Sequence, residues 1–353
     1  MSQNFLSGIN SVIISPRRWG KSSLVEKTIQ TLKNERDLII CKIDLYNVRS
    51  EEEFYLKLAN TVLKETASKW EEFIAHAKAF LSQLLPQISM GMNDENSLRF
   101  GISWKDLQQK PDDILDLAEK IAIKKNIRIV ICLDEFQNIS TFGDSLALQK
   151  KLRAHFQRHQ HVSYCLYGSK RHMLMDVFTN TSMPFYKFGN IMFLEKIKTK
   201  EWVPFIRKRF SDAGKEISKA QAERIVSLVE NHSYYVQQLS QQVWLRTTRK
   251  CTDDIVEQAH LSLIQQLSLL FVTLTEGLSN TQVNYLKALL SGEKQLTSKE
   301  VLHKYRLGTS ANVVRLKRTL VKNDVLDNVG NELTFQDPLY KCWLIQDYFK
   351  LKK

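Results

Sequence analysis

The chain has 353 residues, 43% of them hydrophobic and 25% charged, which supports two or three packed domains and argues against global disorder. Glycine and proline are sparse, at 12 and 6, favouring a helix-rich α/β protein over an all-β one. The net charge of +13 suits a polyanionic partner such as nucleic acid without specifying it, and no unbroken run of about 18 apolar residues marks a membrane span.

Residues Met1 to Asn10 lack the basic start and long apolar stretch of a secretory signal, so a cytoplasmic location is expected. Ser11-Val-Ile-Ile-Ser15 is a short β-branched run, and Ser15-Pro-Arg-Arg-Trp-Gly-Lys-Ser22 leads from it into a helical pattern reaching Lys33. A strand followed by a turn and a helix start is the setting of a phosphate-binding loop. Successive backbone N–H groups there can point at phosphate oxygens, helped by the positive end of the helix. In this reading Gly20 lets the backbone approach closely, Lys21 reaches the β- and γ-phosphates of ATP, and the Ser22 hydroxyl binds Mg2+. Ser15, Pro16, Arg17, Arg18, Trp19 and Ser23 complete the cradle. Ser15 stands where the pattern asks for glycine, and serine fits there without strain only if its φ stays negative.

Leu38 to Asp44 is a second apolar run, and Glu51 to Lys64 reads as a helix. Trp70, Phe73, Ile74, Ala77, Phe80, Leu81 and Leu84 share one face of the next helix, and Gly91 to Trp104 reads as a surface loop or small hairpin. Asp112 to Lys124 is a further helix, with Asp112 and Asp113 near its positive end. Ile127 to Leu133 then delivers Asp134 and Glu135 to a strand tip. Asp134 suits Mg2+ held through water, and Glu135 suits a general base that orients and deprotonates the attacking water. Val162 to Tyr167 is a fourth run, ending at Gly168-Ser169, where Ser169 is a candidate γ-phosphate sensor; Ile191 to Leu194 is a fifth. Continuous apolarity in these runs fits parallel strands buried on both faces. Cys41, Cys132 and Cys165 lie inside them as small buried hydrophobes; the five cysteines form no CxxC and have no accompanying paired histidines, which argues against a zinc site. For lysine and carboxylates to face one nucleotide, the second strand must lie outside the third, with the fourth between first and third. That is the order of the AAA+/RecA-like branch of P-loop proteins.

From Lys200 onward the pattern is helical: Trp202 to Phe210, Lys219 to Glu230, Tyr234 to Thr247 and Asp253 to Leu270. Arg207-Lys208-Arg209 reads as a solvated face of the first. Thr281 to Leu290, Ser298 to Tyr305 and Ser310 to Lys322 precede a hairpin over Val325 to Phe335 that turns at Asn328 to Asn331, the order of a winged helix-turn-helix. Its third helix carries Arg315, Lys317, Arg318 and Lys322, with Val313, Val314, Leu316 and Leu320 expected on the core face. DNA contact through those basic residues and a packing or protein-contact role both remain open. The expected architecture is a P-loop ATPase core over 1–195, a helical lid over 196–275 and a winged helix over 276–353.

Ser-Pro-Arg-Arg-Trp-Gly-Lys-Ser-Ser-Leu24, Leu-Asp-Glu-Phe-Gln137 and the Asp44-Leu-Tyr strand end together resemble the archaeal-type ATPase family, of the STAND branch near AAA+ proteins. The resemblance spans most of the chain. It implies an ASCE-type P-loop NTPase sheet and a slow, Mg2+-dependent ATPase that couples nucleotide state to domain rearrangement. Two other outcomes stay open: a non-hydrolysing DNA-binding regulator, or a nucleotide-ordered scaffold for a protein partner or self-association. Pro184-Phe-Tyr-Lys187 is similar to a segment in which the family carries a catalytic basic residue, usually arginine, and the resemblance gives Lys187 that role. The family's Gly-x-Pro turn toward the nucleotide corresponds here to Asn231-His-Ser-Tyr-Tyr235, without Gly or Pro. Relatives carry a charged segment before the first strand that helps enclose adenine. Here about ten residues precede it, so an open base pocket or a truncated start, and weak nucleotide affinity, are expected.

Overall fold

Strands of Val, Ile, Leu and Cys that are apolar on both faces need cover on both sides of a sheet, and the computed structural model of the protein provides it. It describes residues 1–67, 111–329 and 332–351; the helix expected from Trp70 to Leu84, the loop from Gly91 to Trp104 and the hairpin tip at 330–331 lie outside the described residues. The chain divides into two units, Met1–Leu194 and Glu195–Lys353.

In the first unit, β1 (Ser11–Ile14), β2 (Leu38–Asp44), β3 (Arg128–Asp134), β4 (Val162–Gly168) and β5 (Asn190–Phe193) form one sheet in the order β2-β3-β4-β1-β5. All its pairings are parallel. The second strand lies outside the third and the fourth separates first from third, as the two motifs required. Alternate side chains of each strand enter different cores. Val12, Ile14, Ile131, Leu133 and Leu166 pack with α3 (Glu51–Thr66) and later helices, while Ile13, Val130, Cys132, Cys165 and Tyr167 pack with Phe5 of α1 (Ser2–Leu6) and Val25 and Leu32 of α2 (Lys21–Leu32). Cys41, Cys132 and Cys165 are buried free thiols.

The helix expected over Asp112 to Lys124 is broken at Asp116 into α4 (Pro111–Leu115) and α5 (Leu117–Lys125). Four further elements of this unit escaped sequence reading: α1, the 3-10 turn Phe136–Thr141, α6 (Ser145–Arg158) and α7 (Arg171–Thr179). Of these, α6 has a buried stripe of Leu148, Leu152 and Phe156 and an Asp144 cap that accepts from Ala147 N at 3.1 Å.

The second unit contains α8 (Thr199–Ser211), α9 (Lys219–Leu228), α10 (Ser233–Arg246) and α11 (Asp253–Glu276), then α12 (Asn280–Leu290), α13 (Lys299–Lys304) and α14 (Ser310–Lys322). The antiparallel pair β6 (Leu326–Val329) and β7 (Glu332–Phe335) and the helix α15 (Pro338–Trp343) follow. Serine or threonine caps open five of these helices: Ser218 and Ser279 with full capping boxes, Thr252, Ser298 and Thr309 with side-chain acceptance alone. One apolar core runs from Trp202 and Ile206 through Tyr235, Leu263 and Phe271 to Leu286, Leu316 and Trp343. It joins the segments read from sequence as lid and winged helix, because Phe271 and Thr275 in the last turns of α11 pack against Tyr340 and Trp343 of α15. Phe271 packs on Tyr340 at 5.5 Å between ring centroids, and the Tyr235 hydroxyl donates to Asp337 at 2.5 Å.

By length and composition alone α11 could cross a membrane, with a mean hydropathy of 1.2 over its most apolar stretch, a third of which is buried. Gln265, Gln266 and Ser268 interrupt its apolar residues. Val314 departs from expectation: it is 57% exposed, whereas Val313, Leu316 and Leu320 are buried. Position 314 lies a hundred degrees of helical rotation from Val313, on the face shared with Arg318.

Candidate nucleotide site

All four residues of β1 are buried, as is Ser15 beyond its tip. The chain then turns through two left-handed residues, Arg18 at φ 62° and Gly20 at φ 100°. Ser15 is not among the left-handed positions, so serine in place of glycine carries no backbone strain there. Gly20 caps α2 with open space where a Cβ would stand and without a side-chain hydrogen bond to the helix start. Those N–H groups are therefore available to an anion.

Lys21, the first residue of α2, is 6% exposed. Its ammonium donates to the Pro16 carbonyl at 2.8 Å, the Ser15 carbonyl at 3.1 Å and the Ser15 hydroxyl at 3.2 Å. Burial pushes its pKa down from 10.5 to about 8, against the opposing pull of Glu135 and Asp134. A buried ammonium held by neutral carbonyls favours any ligand that brings negative charge.

The partner group comes from β3. Asp134 ends that strand opposite Asp44 of β2. Its Oδ1 accepts from Glu135 N at 2.8 Å, and its Oδ2 accepts from the Ser22 hydroxyl at 3.3 Å. Burial, with the neighbouring charges of Glu135 and Asp44, raises the Asp134 pKa above the usual aspartate value. A cation between these oxygens would reverse that pressure.

Glu135 is left-handed, at φ 53°. One of its oxygens, Oε2, accepts from Ser169 N at 3.1 Å, from the Ser169 hydroxyl at 3.0 Å and from the Gln137 amide. Its other oxygen, Oε1, accepts no hydrogen bond among the described residues. Gly168 makes this arrangement possible, since a Cβ there would stand 1.9 Å from Gln137 Oε1 and 3.2 Å from Glu135 Cα. Ser169 thus orients Glu135, a contact the sensor reading did not foresee. Gln137 and Gly168 are the residues sequence reasoning missed; Gln137 lay inside the quoted motif, and Gly168 carried no signal except its place at a strand end.

The structure therefore brings Lys21, Ser22, Asp134, Glu135 and Ser169 together at the C-terminal ends of β1, β3 and β4. Pro16 is buried beside them, Trp19 is half-buried, and Arg17, Arg18 and Ser23 are exposed on the same loop and first turn. Lys187 is not brought into this group. It precedes β5, which pairs from Asn190 with Ser11 at the opposite, N-terminal edge of the sheet, and its ammonium sits 5.2 Å from the Tyr186 ring centre. Asn231 lies in the second unit, where its amide donates to the Ile197 carbonyl and the Thr199 hydroxyl, both at 3.0 Å.

The residues present fit a magnesium-bound phosphate. Mg2+ takes oxygen ligands at about 2.0–2.1 Å in octahedral geometry, so adjacent ligands stand about 2.9 Å apart. Ser22 Oγ and Asp134 Oδ2, at 3.3 Å, are close to that spacing. The buried Tyr167 hydroxyl and Gln137 Oε1 have no protein partner among the described residues, so polar capacity beside the site is left over.

Residues 269–346 match the family described as a probable winged helix domain. Among solved structures, the chain is similar to a Walker-type ATPase of Pyrococcus abyssi, at 18% identity and a TM-score of 0.62, over 97% of this chain and 93% of that one. It is also similar to the ORC2 protein of Aeropyrum pernix in ADPNP and ADP complexes, at 15% identity and a TM-score of 0.52, over 99% and 91% of the two chains. The ADP form of that protein matches at 15% identity and a TM-score of 0.50, over 99% and 90%. No curated protein sequence matches the chain. The fold is that of a P-loop ATPase with a C-terminal winged helix.

Proposed function

We propose that the first unit binds ATP with Mg2+ and hydrolyses it slowly. The observation that carries this reading is the meeting, across 112 residues of sequence, of the Ser22 hydroxyl with the Asp134 carboxylate, beside the buried Lys21. Ser22 and Asp134 would hold Mg2+, which when bound neutralises phosphate charge. Lys21 gives up its carbonyl partners for phosphate oxygens, and the N–H groups after Gly20 receive the rest of the anion. Glu135 has one oxygen fixed by Ser169 and Gln137, which leaves Oε1 to orient a water and take its proton. Lys187 stands at the other edge of the sheet, so among the described residues no second catalytic cation joins Lys21, and turnover is slow.

Lys21→Ala should abolish nucleotide binding, while Glu135→Gln should keep binding and lower turnover by on the order of 100-fold or more. ATP binding by Lys21→Ala equal to the parent's would mean the site is misplaced. Coupling of nucleotide state to rearrangement of the lid and winged-helix segments belongs to the same reading. Limited proteolysis giving one pattern with ADP and with a non-hydrolysable ATP analogue would count against it.

A second reading adds duplex DNA, favoured by the outward face of α14. Val314, Arg315, Arg318 and Lys322 are all exposed there, an apolar group flanked by cations on the third helix of a winged module. Retention on DNA that does not weaken with salt would remove this reading.

A further inference from the structure

At the opposite edge of the sheet from the nucleotide site, just before β4 begins, three histidines meet three carboxylates. The end of α6 and the residue that caps it read His155-Phe-Gln-Arg-His159, two imidazoles one helical turn apart and so on one face. Asp116, at the break between α4 and α5, faces them. Its Oδ1 lies 2.6 Å from His155 Nδ1 and 3.0 Å from His159 Nε2, and one ligand atom from each of the three residues lies within 4.8 Å of the others. Both imidazoles are almost fully buried.

We propose that Asp116, His155 and His159 form a binding site for a first-row divalent cation of the Zn2+ class. The remaining ring nitrogens carry the argument. A metal-bound imidazole donates its other N–H to a carboxylate or oxygen that fixes its tautomer and tilt. Here His159 Nδ1 is 2.7 Å from the buried Tyr164 hydroxyl, and His155 Nε2 is 3.4 Å from Asp112 Oδ1. Each ring therefore aims one nitrogen at Asp116; the other is hydrogen-bonded to Tyr164 in His159 and faces the Asp112 carboxylate in His155. In a tetrahedral zinc site, ligand atoms at about 2.0–2.2 Å from the ion stand about 3.3 Å apart. The two Asp116 contacts need to open by less than about 1 Å to reach that edge. Two nitrogens and one oxygen suit zinc or cobalt better than magnesium. The fourth position falls to water.

The surrounding charges are mixed. Glu119 pairs with His161 at 3.0 Å, and Lys151 lies 3.6 Å from Asp112. The exposed Arg158 has its guanidinium 3.1 Å from His155 Nδ1 and 3.5 Å from its Nε2, where it competes with an incoming cation. A filled site pins the break between α4 and α5 to the end of α6.

The test uses the full, tag-free chain, stripped with chelator and titrated with Co2+, whose visible absorption reports tetrahedral N/O ligation, and with Zn2+ by calorimetry. One equivalent should bind. His159→Gln and Asp116→Asn should weaken binding at least tenfold, and His161→Gln, which removes a neighbouring histidine outside the ligand set, should leave it unchanged. Arg158→Ala, a surface change that does not threaten folding, should tighten Co2+ binding several-fold. The proposal is overturned by the absence of saturable binding to the parent, by equal losses in His161→Gln and His159→Gln, or by an Arg158→Ala affinity equal to or weaker than the parent's.

Discussion

Lys21 should make nucleotide binding proton-linked in alkaline solution. In the free protein its pKa is about 8, because burial strips water from the ammonium. A bound triphosphate restores a countercharge and returns the pKa to the ordinary lysine value or higher. At pH 9 the free lysine is about nine-tenths deprotonated and the bound one almost fully protonated, so binding takes up about 0.9 proton per chain. Affinity should fall nearly tenfold per pH unit above about 8.5 and level off near 10.5, a total of about 300-fold, or about 3 kcal/mol at 1.36 kcal/mol per unit. The assay is calorimetric titration with ATP at pH 9 in two buffers of different ionisation enthalpy; the difference in heats gives the proton count. Equal heats in the two buffers would refute the assignment of a depressed Lys21 to the phosphate.

The same lysine sets a stability difference in the free protein. Its folded pKa lies below the unfolded value, so between pH 8 and 10.5 the unfolded chain binds the extra proton and stability rises with pH. Lys21→Met should therefore melt higher than the parent at pH 7, by up to about 3 kcal/mol, and the gap should close by pH 10.5; a gap independent of pH contradicts the burial cost. Gly168→Ala forces Gln137 away from the new methyl group and loosens Glu135, so turnover should drop about tenfold with a stability cost of about 1–3 kcal/mol. An unchanged kcat in that variant would show that Gln137 does not position the base. If α14 contacts DNA phosphates, Arg318→Ala and Lys322→Ala should each reduce the log–log salt slope by about 1, measured by fluorescence anisotropy on duplex DNA.

Much of the nucleotide site was legible because its parts are local. Ser15 to Ser22 is one loop between a strand and a helix, and Asp134-Glu135 is one strand tip, so the chemistry of each follows from a few consecutive residues. Strand order was legible indirectly, since the two motifs meet only if β4 separates β1 from β3. The orientation of Glu135 was hidden, because it depends on Ser169 and Gly168, more than thirty residues away and on another strand. Lys187 was placed by similarity of a short segment, and β5 pairing puts that segment at the other edge. Val314 was assigned to the core by apolarity, although helical rotation turns it outward. The spacing of His155 and His159 was visible, but α6 was not read as a helix. Asp116, the group that faces them, is supplied by a helix break that periodicity did not show.

Alone, the amino-acid sequence determined which segments bury both faces, where the helix after the glycine-led phosphate loop begins, and which lysine, serine and carboxylates have the chemistry for phosphate and Mg2+. These are near-neighbour properties, governed by backbone preference and the spacing of apolar side chains. Tertiary structure decided the burial that depresses Lys21, the anchoring of Glu135 by Ser169 and Gln137, the outward turn of Val314 and the meeting of Asp116 with two imidazoles. Each of these depends on distances between groups far apart in the chain, and such distances are fixed only when the sheet and its helices have packed.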